Sequence, residues 1–245
     1  MAEKFIFPNW PAPKNVCACT TTRLGGVSKA PYDSLNLSTK VGDEPTAVRA
    51  NRAHLKQMLN LPSEPFWLDQ AHTNRAVIAE SYPTYPVADA SYTTKACIVC
   101  VVLTADCLPI LLCSKKGDLI AAIHAGWKGI INGVIEATIK ALPANPTELI
   151  AWFGPAIGPQ AFIVGSEVRD QFINFDAQAQ TAFTAIEPQK WLCNIYLIGQ
   201  QRLNSCGVTG IYGGEFCTYS DAQMFFSFRR SEHTGRLASL IWRSS

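Results

Sequence analysis

The sequence lacks the features that would assign it to several common classes of protein. Its 21 basic and 19 acidic residues leave a formal net charge of only +2, so no basic surplus points to nucleic acid. The longest near-continuous apolar stretch, residues 96–103, is much shorter than the roughly 20 residues that a membrane-spanning helix needs. Repeats, low-complexity tracts and charge blocks are also missing. We therefore expect neither a nucleic acid partner nor a membrane partner.

Histidine is scarce, which limits the metal chemistry open to the chain. It has four copies, His54, His72, His124 and His233. A blue-copper site together with a trinuclear copper cluster would need many more imidazole groups. The histidine count therefore limits any metal chemistry and excludes a four-copper site.

Cysteine is abundant, but its nine copies are an odd number. Residues 1–13 lack the charged and then long apolar segments of a signal peptide. We therefore predict reduced thiols and a cytoplasmic location. The pair Cys97 and Cys100 forms a C-x-x-C, but residues three apart on a strand point to opposite faces and cannot chelate one ion without a bend. Core packing is the favoured interpretation for every cysteine except Cys107.

The chain does contain enough apolar sequence for a substantial core, with 48% hydrophobic and 16% charged residues. Residues 95–103 are apolar at odd and even positions, which indicates a strand covered on both faces. The runs 107–113 and 119–124 flank a turn and predict a β-hairpin. Further predicted helices lie at 46–59, 129–142, 166–175 (with Ser166 as N-cap) and 192–205, and further strands at 16–23, 149–153, 208–212, 224–228 and 237–242. This irregular mixture predicts an α+β fold or a mixed sheet with outer helices, in a single domain over 1–245.

Three residues stand out because each lies beside a turn at the end of a predicted element. His72 precedes a polar turn, Cys107 opens the first strand of the hairpin, and His124 closes the second. The start of one hairpin strand lies beside the end of the other, so Cys107 and His124 should be neighbours. A thiolate with one or two imidazoles suits Zn²⁺ with an open fourth position. The same groups could also be a nucleophile with its base, or buried core residues.

Short sequence segments, in order along nearly the whole chain, carry a family resemblance. They are TRLGGVS (22–28), YDSLNL (32–37), VGD (41–43), NR (51–52), QAH (70–72), ADA (88–90), LTADCLP (103–109), AIHAGW (122–127), GPAIG (154–158), FSFR (226–229) and TGR (234–236). In this set the chain resembles the YfiH-like family. That family was once described as multicopper polyphenol oxidoreductases (laccases), and more recently as zinc-dependent purine nucleoside phosphorylases with adenosine deaminase activity. A small departure is Ala71, where valine is expected before the histidine.

The resemblance implies a fold and a metal site. The family fold is a mixed β-sandwich with outer helices in α/β/β/α layers, similar to the catalytic domain of cytotoxic necrotizing factor toxins. His72, Cys107 and His124 stand where the family has its three zinc ligands. His54 and His233 lie outside these positions, so the resemblance implies one metal ion. Cu²⁺ could replace Zn²⁺ on the same ligands, because the affinity order favours copper.

The resemblance also implies substrates: phosphate and purine nucleosides, namely adenosine, inosine, guanosine and 5′-methylthioadenosine. In deamination, zinc would lower the pKa of water from about 15.7 towards 7, and a carboxylate would shuttle protons. Asp106 is the candidate for that task, its alternative role being a turn aspartate. Planar cationic side chains suit phosphate, and an amide suits ribose or base. The candidate substrate-binding residues are Arg23, Asn36, Arg52 and Arg229.

Other functions stay open at this point. A metal-independent hydrolase, such as an amidase that edits cell-wall precursors, would use Cys107 as nucleophile and His124 as base. A polyphenol oxidase with a single copper and a structural zinc or sensor site are further alternatives. In every case we expect a monomer or a weak homodimer.

Overall fold

Two β-sheets and a set of flanking helices form the protein in the computed structural model, which describes residues 4–82 and 85–244. The strands of this part are β1 (Phe5–Ile6), β2 (Val16–Thr21), β3 (Ala76–Ile78), β4 (Ala90–Thr93), β5 (Val99–Thr104), β6 (Leu108–Ser114), β7 (Ile120–Ala125), β8 (Leu149–Phe153), β9 (Ile163–Gly165), β10 (Phe183–Glu187), β11 (Lys190–Cys193), β12 (Gly210–Gly213) and β13 (Leu237–Arg243). The α-helices are α1 (Pro45–Met58), α2 (Trp127–Ile131), α3 (Val134–Ala141), α4 (Ser166–Phe175) and α5 (Ile195–Ser205).

The two main sheets differ in strand direction. The four-stranded sheet has the order β1-β2-β13-β5 and is antiparallel throughout. The six-stranded sheet has the order β12-β8-β6-β7-β4-β3 and is mixed, because its two outer pairs are parallel. A third, small sheet has the strand order β10-β11-β9 and is antiparallel.

Side chains that point alternately to the two faces of β5 and β6 show how the layers stack. On β5, Cys100 and Val102 belong to the apolar cluster that also holds Leu111 and Cys113 of β6, so this cluster lies between the two sheets. The other face of β6 packs with the apolar residues of α2, α3, α4 and α5. The other face of β5 packs with Leu55 of α1. The predicted α/β/β/α layers are therefore confirmed, as is the strand covered on both faces.

Four details differ from the sequence-based expectation. The helix predicted over 129–142 is divided into α2 and α3, because Gly133 adopts a left-handed φ of 83°. The helix predicted over 192–205 is β11 followed by α5, whose N-cap Asn194 accepts a hydrogen bond from the Leu197 N–H. Ser166 is the first residue of α4 rather than its N-cap. Residues 224–228 form no strand, because 225–227 are irregular and lie between two turns, and Phe225 and Phe226 are buried between the sheets.

The cysteines divide into two groups. Besides Cys107, four are buried and four are half-buried, and of the second group Cys206 packs against the apolar core. The prediction of core thiols is wrong for the half-buried Cys17, Cys97 and Cys217, which belong to no apolar cluster of the described residues. Cys97 precedes β5 and has a positive φ of 62°, which places the C-x-x-C outside the regular strand. All nine carry free thiols.

Among the helices of the described residues, none combines the length and apolar character needed to cross a membrane.

Candidate metal centre

His72, Cys107 and His124 come together at one end of the β6–β7 hairpin. Their ligand atoms all lie within 4.8 Å of one another. The predicted proximity of Cys107 and His124 is confirmed, and its cause is the register, which pairs Pro109 with His124 and Leu108 with Ala125. Within residues 4–82 and 85–244, this is the one group of three such side chains that could hold an ion.

The backbone leaves a narrow space between these side chains. Gly126 follows β7, and a Cβ atom there would lie 2.6 Å from Cε1 of His72 and 2.8 Å from both Nδ1 of His72 and Sγ of Cys107. Contacts this short are essentially never formed by a real side chain. Glycine is therefore required at position 126 for the two ligands to face each other.

Asp89 fixes both histidines through a single buried carboxylate. Its Oδ1 lies 2.7 Å from Nδ1 of His124 and accepts the His72 N–H at 3.1 Å. Its Oδ2 accepts the Thr73 N–H at 2.6 Å and the Thr73 hydroxyl at 2.8 Å. The loop that carries His72 in its left-handed conformation, with a φ of 57°, is held further by Asn132, whose side-chain amide donates to the His72 carbonyl. Sequence reasoning gave Asp89 no role, because one acidic residue beside a strand is a weak indication.

Charge at the site follows from these contacts. Burial would raise the pKa of Asp89, but the hydrogen bonds from His124 and Thr73 lower it to about 2. Burial would likewise lower the pKa of His124, but Cys107 and Asp89 raise it to about 9. The pKa of His72 is lowered by burial and by His124. An ionised Asp89 therefore orients the His124 ring so that its Nε2 faces Cys107.

The donor set fits a divalent metal ion. Nδ1 of His72 is buried and has no hydrogen-bond partner among the described residues. An orphaned nitrogen, a thiol and the outward nitrogen of an Asp-oriented imidazole are the ligands that Zn²⁺ and Cu²⁺ prefer. The missing side chain of Gly126 leaves a space beside the His72 ring and the Cys107 sulfur that could take the ion. His72, Cys107 and His124 would hold the ion and leave further positions open.

The trio lines a cavity of about 650 Å³, a size typical of small-molecule sites. His124 lies at its buried end, whereas Tyr85 and Phe228 are exposed at its mouth, at 57% and 49%. Of the predicted substrate contacts, Arg52 and Arg229 line this cavity. Sequence reasoning also missed cavity residues, among them Gln70, Phe162 and Arg236.

Arg23 and Asn36, in contrast, are not part of the cavity wall. Arg23 donates to the carbonyls of Asp33 and Ala222 and forms an ion pair with the Asp33 carboxylate. Asn36 is fully buried and bonds to Ser38, Asp43 and Arg236, so it holds loops together. The polar groups of both residues are therefore engaged by the protein itself, and their role as substrate contacts stays a prediction.

Asp106 lines the cavity next to Cys107, but it also joins three loops. Its two carboxylate oxygens accept the Thr218 hydroxyl and the Arg229 N–H, each at 2.6 Å. Its carbonyl accepts the Ile157 N–H at 2.9 Å. This is the behaviour of a turn aspartate that fixes its surroundings, combined with a place in the cavity wall.

Asp89→Asn tests the role of the shared carboxylate. The asparagine amide has the shape of the carboxylate, but its NH₂ group cannot accept a hydrogen bond from the Nδ1–H of His124. The His124 tautomer is then no longer fixed. We expect metal affinity to fall about 10- to 100-fold, as for other second-layer partners of metal-bound histidine. Competition with a chromogenic chelator measures the affinity, and ¹⁵N NMR of the imidazoles reports the tautomer. Unchanged affinity and tautomer in a folded variant would contradict the role.

The sequence matches a known family over most of its length. Residues 17–244 match the model of the family described as multi-copper polyphenol oxidoreductase laccase. The chain belongs to this family. The family description implies several copper ions, but the described residues bring together one set of metal ligands.

Curated relatives carry a different description. The chain is 49% identical to purine nucleoside phosphorylase YfiH of Escherichia coli over 241 residues, which cover 98% of this chain and 99% of that protein. It is 50% identical to a purine nucleoside phosphorylase of Haemophilus influenzae, covering 97% and 98%. The resemblance to the YfiH-like family is therefore confirmed.

Solved structures agree with the fold. A Neisseria meningitidis protein of the DUF152 family superposes with a TM-score of 0.96 at 45% identity, covering 99% of this chain and 100% of that one. YlmD from Geobacillus stearothermophilus gives a TM-score of 0.92 at 27% identity, covering 100% and 98%.

Proposed function

We propose that the protein is a zinc-dependent purine nucleoside phosphorylase that also deaminates adenosine. The observation that carries the proposal is the His72, Cys107 and His124 cluster at the buried end of a cavity that has cationic and aromatic walls. The names of the curated relatives support the phosphorylase activity. The substrates would be adenosine, inosine, guanosine and 5′-methylthioadenosine, together with phosphate.

In phosphorolysis, the C1′–N9 bond of the nucleoside breaks and a C1′–O bond to phosphate forms. The electron pair of the broken bond leaves with the purine, which takes up the proton that phosphate loses, giving free base and ribose 1-phosphate. The rings of Tyr85, Phe162 and Phe228 offer apolar surfaces for the purine. Arg52 and Arg229 add positive charge to the wall of the cavity that would receive the phosphate.

When bound, zinc supplies Lewis-acid chemistry at the buried end of the cavity. In deamination, adenosine and water give inosine and ammonia, and a proton must move from the water to the departing amine. Asp106 is our candidate for holding that proton, because its carboxylate lies in the cavity wall beside Cys107. Cu²⁺ suits the same nitrogen and sulfur donors, so the metal content must be measured with the activity.

Product analysis with and without phosphate tests the proposed function. Inosine should yield hypoxanthine and ribose 1-phosphate in equal amounts, and only when phosphate is present. Adenosine should additionally yield inosine and ammonia without phosphate. Base release that does not depend on phosphate, or no turnover of any purine nucleoside by metal-loaded protein, would refute the phosphorylase.

A cysteine hydrolase is the second candidate, and one contact favours it. The Cys107 sulfur lies within 4.8 Å of a His124 ring nitrogen, and His124 bonds to Asp89, so the order matches a nucleophile, base and orienting acid. Alkylation with iodoacetamide distinguishes the two functions. A metal-bound Cys107 should react only after a chelator removes the ion, whereas a free nucleophile should react at the same rate with and without chelator.

We also propose that residues 1–245 form a single catalytic domain, which the family match over 17–244 supports. The nine free thiols support a cytoplasmic location. Size-exclusion chromatography with light scattering checks the proposed monomer or weak homodimer.

A further inference from the structure

The cavity is richer in positive than in negative charge. Its acidic residues are Asp69 and Asp106. Asp69 forms an ion pair with Lys40, and the Asp106 carboxylate accepts two hydrogen bonds, from the Thr218 hydroxyl and the Arg229 N–H. The basic residues of the wall are Lys40, Arg52, Lys128, Arg229 and Arg236. Uncompensated cations in a concave site attract an anionic ligand.

Arg236 lines the cavity and leaves one edge of its guanidinium free. Its Nη1 donates to the carbonyls of Thr234 and Gly235, both at 3.0 Å. Its Nε and Nη2, the parallel donors that bind an oxyanion in bidentate fashion, make no hydrogen bond within residues 4–82 and 85–244. The side chain is half-buried, and no carboxylate among the described residues forms an ion pair with it.

The segment that carries Arg236 is held in place from both sides. Its N–H donates to Oδ1 of the buried Asn36 at 3.0 Å. The preceding Gly235 packs so tightly on Phe226 that a Cβ there would lie 2.6 Å from the ring. The position of Asn36 is thereby explained as support for this arginine. A fixed guanidinium loses little conformational freedom when it binds a ligand.

Arg52 and Arg229 are less suited to the same task. Arg52 uses Nε for the Leu37 carbonyl and stacks on Trp67, with 3.8 Å between the guanidinium carbon and the ring centre. Arg229 also has no hydrogen bond at Nε and Nη2 among the described residues, but it lies exposed at the mouth, where its Nη1 donates to the Ile163 carbonyl. Arg236 is half-buried and lines the same cavity as Cys107, His72 and His124. It therefore combines a free bidentate edge with a sheltered place in the cavity that holds the candidate metal ligands.

We propose that Arg236 binds a phosphoryl dianion through its Nε and Nη2 edge, beside the metal centre. The assignment rests on the proposed function, in which this dianion is the attacking phosphate. The same chemistry would also recognise the 5′-phosphate of a nucleotide. Arg236 thus holds the oxyanion while the aromatic walls hold the purine.

Arg236→Gln and Arg236→Lys test the assignment. We expect the KM for phosphate to rise about 10- to 100-fold in Arg236→Gln, the effect of losing charged hydrogen bonds. The KM for inosine should stay within about twofold, a separation that a general structural defect would not produce. Lysine keeps the charge but lacks the planar fork, so it should restore part of the affinity. Arg75→Gln, an exposed arginine outside the cavity that donates to the Val87 carbonyl, is the matched control.

Two further measurements, of inhibition by a nucleotide and of phosphate binding, identify the source of the dianion. Weaker inhibition by inosine 5′-monophosphate, with an unchanged KM for phosphate, would assign the group to a nucleotide. Calorimetric titration of the purified protein with inorganic phosphate reports binding even if the wild type has no phosphorylase activity, so the two proposals can fail separately. If Arg236→Gln alters neither phosphate binding nor inhibition by the monophosphate, the assignment is wrong.

Discussion

Cys107→Ala is expected to lose the metal ion and nearly all activity. The thiol is the sulfur donor of the trio, and the two imidazoles that remain cannot form a three-ligand site. Loss of a Lewis acid that contributes several kcal/mol should lower kcat/KM by at least about 10³-fold, or about 4 kcal/mol. Metal content per chain, from elemental analysis, should fall from near one to near zero.

The control for this variant is Cys206→Ala. Cys206 is also a half-buried free cysteine, but it lies at the end of α5, outside the cavity wall. Its replacement should leave metal content and kcat/KM unchanged. If Cys107→Ala keeps a full equivalent of metal and its turnover, Cys107 is not a ligand. If it loses turnover while the wild type never held metal, the cysteine hydrolase gains support.

Gly126→Ala is expected to block the metal site without unfolding the chain. The added methyl group would meet the His72 ring and the Cys107 sulfur at 2.6–2.8 Å. The φ of Gly126 is −68°, so the backbone itself tolerates alanine. The added methyl group should displace the His72 ring and the Cys107 sulfur, at an overpacking cost of about 1–3 kcal/mol. Metal affinity should therefore fall about 5- to 150-fold.

Gly129→Ala provides a matched control three residues further on. A Cβ at this position in α2 meets its nearest atoms at 3.6 Å, an ordinary contact distance. This variant should bind metal like the wild type and gain about 0.5–1 kcal/mol of stability from the better helix former. Chelator competition gives the affinities and thermal denaturation gives the stabilities. Equal metal affinity in both variants would show that the space beside Gly126 does not hold the ion.

Much of the central fold follows from the sequence because it depends on local patterns. Residues 149–153 and 166–175 form β8 and α4 within the predicted bounds, and the hairpin of β6 and β7 lies within one residue of them. The apolar residues at odd and even positions of β5 indicated that this strand lies between two layers. In contrast, the aromatic run at 224–228 has the composition of a strand but forms none, because tertiary contacts rather than propensity decide its conformation.

The candidate metal ligands could be found from the sequence, whereas the groups that hold them in place could not. Cys107 and His124 are related by hairpin register, which spacing alone determines. Asp89 bonds to His72 and His124, which are brought to it only by the fold. Arg236 is likewise placed by a bond to Asn36 from a distant part of the chain. Residue type alone also could not show that the Arg23 guanidinium is bound by Asp33 and Ala222.

Metal reconstitution of the chelated protein tests the central claim most directly. Zinc should restore phosphate-dependent release of hypoxanthine from inosine in proportion to metal added, and the increase should stop at one equivalent per chain. Cys107→Ala should not respond to the same titration. Full activity of the chelated protein before zinc is added would contradict the claim, as would an increase that continues past one equivalent.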